Sequence, residues 1–323
     1  MSINLDPLLT AAETRLLFSV KLQPLQTHRF QPTGFPDLGA ALYQAGSKTC
    51  LLVESAQSMA NRLEAVCWDA TEDQLVPCLA GLSYIRVEQD DKFLTSTLVE
   101  SHRINSPYIL ESKDDTFSKA LQAELATLKE GPIDRRLLAA TLFKYDVNAL
   151  IHGVFLAKKE LAGGRLRVAR ALSSFVEADG VQTVLSGGVK NDHVNPSGEA
   201  SQGFGNVPFS REEFTADNIL AHFNIDLAQI RGYGLDEPAT RLLILLSLYK
   251  VRSLLSGNLR FRTACDLEVI DTDITATRPT GFQLPTLSDL QSEIADAINA
   301  CQSLFAGSQG VTTVKYVPGK SKK

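Results

Sequence analysis

The chain reads as an α+β protein, and three observations predict it. From Leu16 onward, Leu16, Phe18, Val20 and Leu22 alternate with polar residues, the period of a half-buried strand. Between Ser55 and Asp69, residues Ala56, Met59, Ala60, Leu63 and Val66 recur at helical spacing, with Ser55 placed to cap the N-terminus. Along the whole chain the order is strand, helix, strand, a large helical insertion, strand, loop, strand, helix, strand. The 323 residues are 44% hydrophobic and 21% charged, the balance of a soluble globular protein with room for a sizeable core. With no internal repeat and no dividing linker, residues 1–323 read as one elaborated domain.

The elements follow from local pattern. After the first strand comes a proline- and glycine-rich loop, RFQPTGFPDLGAALY, then the apolar run CLLVE and the helix capped by Ser55. LSYIRVE reads as a strand. FSKALQAELATLKE reads as a helix ended by Gly131-Pro132, and Pro132 is placed to open a long buried helix, IDRRLLAATLFKYDVNALIHGVFLA. These helices fall in an expected insertion at 90–160. GGRLRVARAL and LAHFNIDLAQI both alternate and read as strands. Pro238 opens a strong helix that ends before Gly257. Its run LLILLSLY, flanked by Arg241 and Lys250, is far short of a membrane span and suits a buried helix. LRFRTACDLEVI reads as one strand, with Arg260, Arg262 and Asp266 on its polar face. A last helix is expected over 288–305, followed by a frayed basic tail, KYVPGKSKK. Stripped of insertions, the order matches a ferredoxin-like, RNA-recognition-type α+β core.

Charge and cysteine usage narrow the function. A net charge of -5 argues against nonspecific nucleic-acid binding, although a local arginine stripe can coexist with an acidic remainder. The five cysteines, at 50, 67, 78, 265 and 301, are odd in number and form no C-x-x-C pair. They read as reduced, buried thiols rather than a disulfide framework or zinc site. The N-terminal stretch MSINLDPLLTAAETRLLF lacks the charged start and apolar run of a signal peptide, so a cytoplasmic protein with no membrane partner is expected.

The stretch SGGVKNDHVNPSGEASQGFGNVPFSREEF holds the chemistry-bearing residues at highest density, yet no familiar chemistry fits it. Its glycines at 187, 188, 198, 203 and 205 form neither a dinucleotide fingerprint nor a Walker loop, and Pro208 interrupts any helix start. Asp192 and His193 are neighbours without a supporting ligand cluster, so no metal is expected and His193 reads first as a solvent-exposed loop residue. No G-x-S-x-G elbow is present, and no cysteine lies near a histidine in sequence. No catalytic residue and no cofactor are therefore expected. Asp37, in PTGFPDLG, is the one candidate general base; its alternative reading is a turn cap. Arg165 and Arg167 share a face of one expected strand, and Arg260 and Arg262 a face of another. Were those strands adjacent, four guanidinium groups would meet a phosphate backbone; equally, they would be solvated faces with edge-protecting charge.

RFQPTGFPDLGAALY, LVESAQSMANRLEAVCWD, GGVKNDHVNP, GFGNVPFSREEFTADNI, FNIDLAQIRGYG and LRFRTACDLE together resemble a CRISPR-associated protein of the RAMP superfamily. The nearest likeness is to the backbone subunit of a type I-U (I-G) Cascade effector, and it runs from about Arg15 to Glu268. Superfamily backbone subunits often open the first helix with a Ser-Ser-Gln…Lys-Arg segment. Ser55, Gln57, Asn61 and Arg62 resemble it, with Ala56 for the second Ser, Asn61 for Lys and one extra residue between. A helix N-terminus binds phosphate without requiring basic side chains.

The resemblance implies a hand-like fold: a modified RNA-recognition palm, a helical insertion and a thumb-like extension at 186–211. It implies crRNA as partner, with further copies of the chain stacked along it, target DNA met through the crRNA, and other Cascade subunits alongside. The thumb is expected to be mobile until it meets RNA or a neighbour. Lys190, Asn191, His193 and Arg211 would then face RNA, and Phe204 or Phe209 would wedge at a kink in the guide. Arg165, Arg167, Arg260 and Arg262 complete the expected RNA surface. No catalysis is implied for a type I subunit. The alternative is a metal-dependent RNA endonuclease using Asp37, by analogy with type III backbone subunits.

Overall fold

The computed structural model describes residues 3–319, with 36, 38 and 258 excepted. In chain order its main elements are β1 (Leu16–Pro24), β2 (Leu42–Ala45), β3 (Lys48–Glu54), α1 (Ala56–Ala65), β4 (Tyr84–Gln89), β5 (Lys92–Ser96), α2 (Thr116–Glu124), α3 (Arg135–Tyr145), α4 (Val147–His152), β6 (Val154–Leu156) and β7 (Leu166–Val168). There follow β8 (Leu172–Asp179), β9 (Gln182–Lys190), β10 (Val207–Thr215), β11 (Asn218–Ile225), α5 (Leu227–Gly232), α6 (Glu237–Ser256), β12 (Leu259–Arg262), β13 (Cys265–Val269), α7 (Leu287–Cys301) and β14 (Val311–Lys315).

The fold is α+β. Its centre is a seven-stranded sheet in the order β12-β13-β1-β11-β8-β3-β2, with every neighbouring pair antiparallel. Within it, β13-β1-β11-β8 is the fourth-first-third-second order that a β-α-β-β-α-β chain produces, with α1 before the second strand and α6 before the fourth. The alternation seen in the sequence sets which face is buried. Leu16, Phe18, Val20 and Leu22 of β1 pair across with Ile225, Phe223, Ala221 and Ile219 of β11, and all eight are buried. On the opposite face Ser19 and Phe175 flank His222, whose ring lies 5.0 Å from that of Phe175.

α6 is apolar all round and is buried almost along its length, as such a helix must be. Asp236 caps it, accepting from Ala239 N, and Pro238 lies in its first turn. Its two buried cations, Lys250 and Arg252, are both satisfied. Arg252 donates to the carbonyls of Pro285, Thr272 and Leu284. Among the described residues no helix is long and apolar enough to cross a membrane.

The structure corrects several sequence expectations. The long helix expected from Pro132 starts at Arg135, capped by Asp134, breaks at Asp146 into α3 and α4, and ends at Gly153. There φ is +78° and a Cβ would meet Val168 O at 2.9 Å, so the chain turns on a glycine into β6. LAHFNIDLAQI is strand only to Ile225; Asp226 then caps α5 by accepting from Gln229 N. LRFRTACDLEVI is a hairpin, because Thr263-Ala264 reverse the chain between β12 and β13. GGRLRVARAL yields only the three-residue β7, which pairs with β6 outside the central sheet. Arg165 and Arg167 therefore do not adjoin Arg260 and Arg262 on one sheet, and the four-arginine surface does not form. The basic tail is not frayed up to Val317: β14 pairs in parallel with β4, and Val317 N reaches Ser112 Oγ at 2.9 Å. Lys320–Lys323 lie outside the described residues.

Candidate nucleic-acid interface

The N-terminus of α1 forms because β3 ends at Glu54 and Ser55 stays extended (φ -78°, ψ 160°), its Oγ accepting from Ser58 N at 3.3 Å. Met59, Ala60 and Leu63 face inward, leaving Gln57 and Asn61 exposed one turn apart and joined by a 3.3 Å hydrogen bond. Arg62 takes a different course from the one expected. It donates to Glu54 Oε2 (3.4 Å), Arg260 O (3.2 Å) and Phe261 O (3.0 Å), and its guanidinium lies 4.8 Å from the Phe261 ring centre. Arg62 thus clasps α1 to the edge strand β12. Arg262 likewise turns to Thr33 Oγ1 (2.9 Å), while Arg260 stays exposed beside this clasp.

Arg170 joins this surface, although no motif or spacing pointed to it. It donates to Ala56 O (3.1 Å) and Gln57 Oε1 (2.9 Å), both in the first turn of α1. Beyond it opens a cleft bordered by the turn at 101–105, the end of α4, and the β6–β7 pair. Arg167, on β7, holds its guanidinium 5.5 Å from the centre of the half-exposed Phe155 ring. Arg165 is directed elsewhere, donating to Leu128 O (2.6 Å) and Gly131 O (3.0 Å).

Beneath α1 lies a buried polar network that sequence reading missed entirely. Glu64 accepts from Arg103 Nε and Nη2 and from Asn148 Nδ2, each at 2.7 Å. Asn148 Oδ1 accepts from Lys250 Nζ at 2.8 Å, and Arg103 Nη1 donates to Gly153 O at 3.1 Å. Asp146 is fully buried, and its carboxyl meets no donor in full hydrogen-bond geometry, with only the weaker approaches of the Ala149 N–H and the Thr97 hydroxyl favouring its charged form. Burial pushes that carboxyl up to about 7, with Arg103 pulling it down and Glu64 pushing it up. The network ties α1, α4 and α6 together and so fixes the surface above.

The stretch expected as a glycine-rich loop is in fact a hairpin of two nine-residue strands, β9 and β10, paired from Gln182↔Thr215 to Lys190↔Val207. Strand pairing satisfies the backbone along both arms, while residues 191–206 between them form turns and one short 3-10 turn. Its base is anchored by buried Phe214, which exchanges backbone hydrogen bonds with buried Phe30 (2.8 and 2.9 Å). Gly188 faces Phe209: a Cβ there would come 3.1 Å from the ring. Arg211 lies 5.1 Å from the centre of the same ring. At the tip Asp192 organises the turn rather than pairing with His193. It accepts from the N–H groups of Asn195, Gly205 and Val194, which hold its carboxyl below the usual range. Lys190, Asn191, His193, Phe204 and Phe209 are all exposed on this ribbon, with Arg211 half-buried. The structure thus separates the expected residues into the α1 surface, the cleft and the hairpin, with Arg165 in none of them.

Asp37 is an exposed turn residue with φ +70° between the short pairs Gly34–Phe35 and Gly39–Ala40. Among the described residues no three His, Cys, Asp or Glu side chains converge as a metal site.

The class of protein is now defined by comparison: residues 16–183, just over half of the chain, match the family model described as CRISPR-associated protein GSU0053 (Cas_GSU0053). The chain belongs to this CRISPR-associated family. Among solved structures it is similar, at 15% identity and a TM-score of 0.41, to a chain described as "CRISPR RNA-guided surveillance complex, pre-nicking", over 79% of this chain and 76% of that one. No curated protein sequence matches it.

Proposed function

We propose that this protein is a guide-RNA-binding backbone subunit of a type I-U/I-G Cascade effector. Copies of it oligomerise along crRNA and present the guide for pairing with target DNA in antiviral defence, alongside other Cascade subunits in the cytoplasm. The observation that carries this reading is the β9–β10 hairpin. It is a ribbon that leaves Leu185 (82% exposed), Val194 (95%) and Phe204 (48%) uncovered within the chain. Apolar side chains held out on an arm rimmed by Lys190 and Arg211 suit a thumb that meets RNA and a neighbouring copy. CRISPR family membership and the polar α1 surface support the same reading. Each copy then needs only a few phosphate contacts, because avidity multiplies along the filament, and the acidic net charge is no obstacle. The palm would be the β-α-β-β-α-β sheet, with the helical insertion at 90–160 and the thumb at 186–211 built onto one domain.

We read the subunit as non-enzymatic, with Asp37 as an exposed turn residue. Mg²⁺-dependent target-RNA cleavage by the assembled complex, lost in Asp37→Ala, would instead make it an endonuclease. The main test is purification with partner subunits and sequencing of the bound nucleic acid. Short uniform RNAs with repeat-derived ends are expected, and random RNA or none refutes the reading. Deleting Gly188–Val207 is expected to leave the melting transition intact while abolishing regular RNA coating; normal assembly in that variant counts against the thumb.

A further inference from the structure

The cleft between the 101–105 turn and the β6–β7 pair has a volume of about 700 Å³, within the range of small-molecule sites. Its composition is one-sided. Arg103, Arg167, Arg170, His102 and His152 line it, and no carboxylate does. Arg103 is neutralised from behind by the bidentate Glu64 pair. Arg167 and Arg170 have no carboxylate partner among the described residues, and Arg170 donates only to neutral oxygens. Two cations thus face one opening, which favours an anion there.

Two further features indicate what kind of anion. Phe155 stands at the rim, half exposed on a three-residue strand whose other two side chains are buried. A flat apolar ring beside arginine suits a planar π-system. On the wall, His152 is 98% buried by virtue of its 2% exposure, yet neither ring nitrogen has a hydrogen-bond partner. Burial, with Lys250, Arg103 and Arg170 nearby, holds its pKa well below the usual range, so it presents one N–H donor and one acceptor nitrogen. A buried ring with two unpaired polar atoms is costly, and that cost marks this wall as strained. Finally, Arg170 connects the cleft to Gln57 on the exposed face of α1, so the two surfaces are continuous.

We propose that this cleft receives a single nucleotide of the RNA strand crossing α1, its base stacked on Phe155, its phosphate held by Arg167 and Arg170. The proposal rests on the RNA-binding reading above and assigns that surface a nucleotide pocket. It differs from the thumb in taking a base into a fixed cavity rather than pressing a side chain between bases.

The test uses the purified full chain and a single-stranded oligoribonucleotide carrying 4-thiouridine, photocrosslinked and mapped by mass spectrometry. A crosslink within residues 152–170 is expected. Phe155→Ala is expected to remove it and to weaken binding on the order of tenfold. Phe155 is half exposed, so the melting transition should be unchanged and a folding defect is distinguishable. Arg167→Gln should reduce the dependence of log affinity on log salt by about 0.7, the share of one phosphate contact on a single strand. RNA bound with full affinity by Phe155→Ala, with crosslinks only to α1 or the hairpin, overturns the pocket and leaves the RNA-binding role standing. No RNA binding by the wild-type chain or its assembled complex overturns both. Capture of inorganic phosphate or a free nucleoside monophosphate without any crosslink to RNA overturns the nucleotide-of-a-strand assignment.

Discussion

The cleft and the hairpin each set an arginine against an exposed phenylalanine, Arg167 on Phe155 and Arg211 on Phe209, at 5.5 and 5.1 Å. Their supports are opposite in kind. Behind the cleft lie Glu64, Arg103, Asn148 and Lys250, all buried and joined by hydrogen bonds of 2.7–2.8 Å. Behind Phe209 lies only a two-stranded ladder, open to water on both faces beyond its Phe30–Phe214 base. A two-stranded ribbon is marginal by itself, whereas a residue fixed by a satisfied buried network is held in one place. The contrast teaches that similar side-chain pairs here serve different ends. The cleft is fixed in advance by the core, while the arm can bend to follow a partner without disturbing the core.

That contrast breaks first at Glu64. Glu64→Leu leaves Arg103, 8% exposed, as a buried cation without its carboxylate, and also strips a partner from Asn148. A loss of about 3–5 kcal/mol is expected, read as a lower midpoint in urea denaturation. The cleft should lose its RNA crosslink with it, because the turn at 103 is no longer held. A cost below about 1 kcal/mol would mean that the network does not support the cleft, and the two regions would differ less than argued.

Asp146 gives the next effect, of opposite sign. Its folded carboxyl, near 7, lies above the ordinary 3.8, so the folded state binds more protons than the unfolded between those values. Stability attributable to this group therefore falls as pH rises from about 4 to 7 and then levels off. Arg103, Glu64, His152 and Lys250 crowd the same region and share in its electrostatics. Asp146→Asn keeps the shape and removes the charge. It should stabilise by about 2–4 kcal/mol at pH 8 and hardly at all at pH 4. A gain of equal size at both pH values would show that charge burial is not the cause.

How much of this was readable in advance differs between the two regions for physical reasons. Strands β1 and β11 announce themselves through their period, because each has one face buried against the core, and helices α1 and α6 through the spacing or density of their apolar residues. Ser55 was legible as a cap and Pro238 as a helix opener from local residue type, whereas the Asp236 cap emerges only in the structure. The hairpin was hidden by its own exposure: with neither face buried, β9 and β10 show no apolar alternation, and glycines made them look like loop. The polar network was hidden by distance, since Glu64, Arg103, Asn148 and Lys250 lie far apart in sequence and no local spacing links them. The intramolecular partners of Arg62 were hidden in the same way, because the carbonyls of Arg260 and Phe261 that it meets belong to a strand about 200 residues on.

The smallest effect on stability sharpens the comparison most. Val194 and Phe204 sit at the tip of the arm, 95% and 48% exposed, and no part of the core depends on them. Replacing both by serine should change unfolding free energy by no more than about 0.5 kcal/mol, since neither cavity nor unpaired charge is created. Asp192 should still fold the tip, because its three partners are backbone N–H groups that serine leaves in place. If the arm meets RNA and a neighbouring copy, the same variant should fail to form long regular assemblies by electron microscopy. It should still crosslink RNA in the cleft, because the residues that line the cleft include none from the arm. A variant that assembles normally would remove the arm from the filament contact; one that loses the cleft crosslink as well would join two regions that the fold keeps apart.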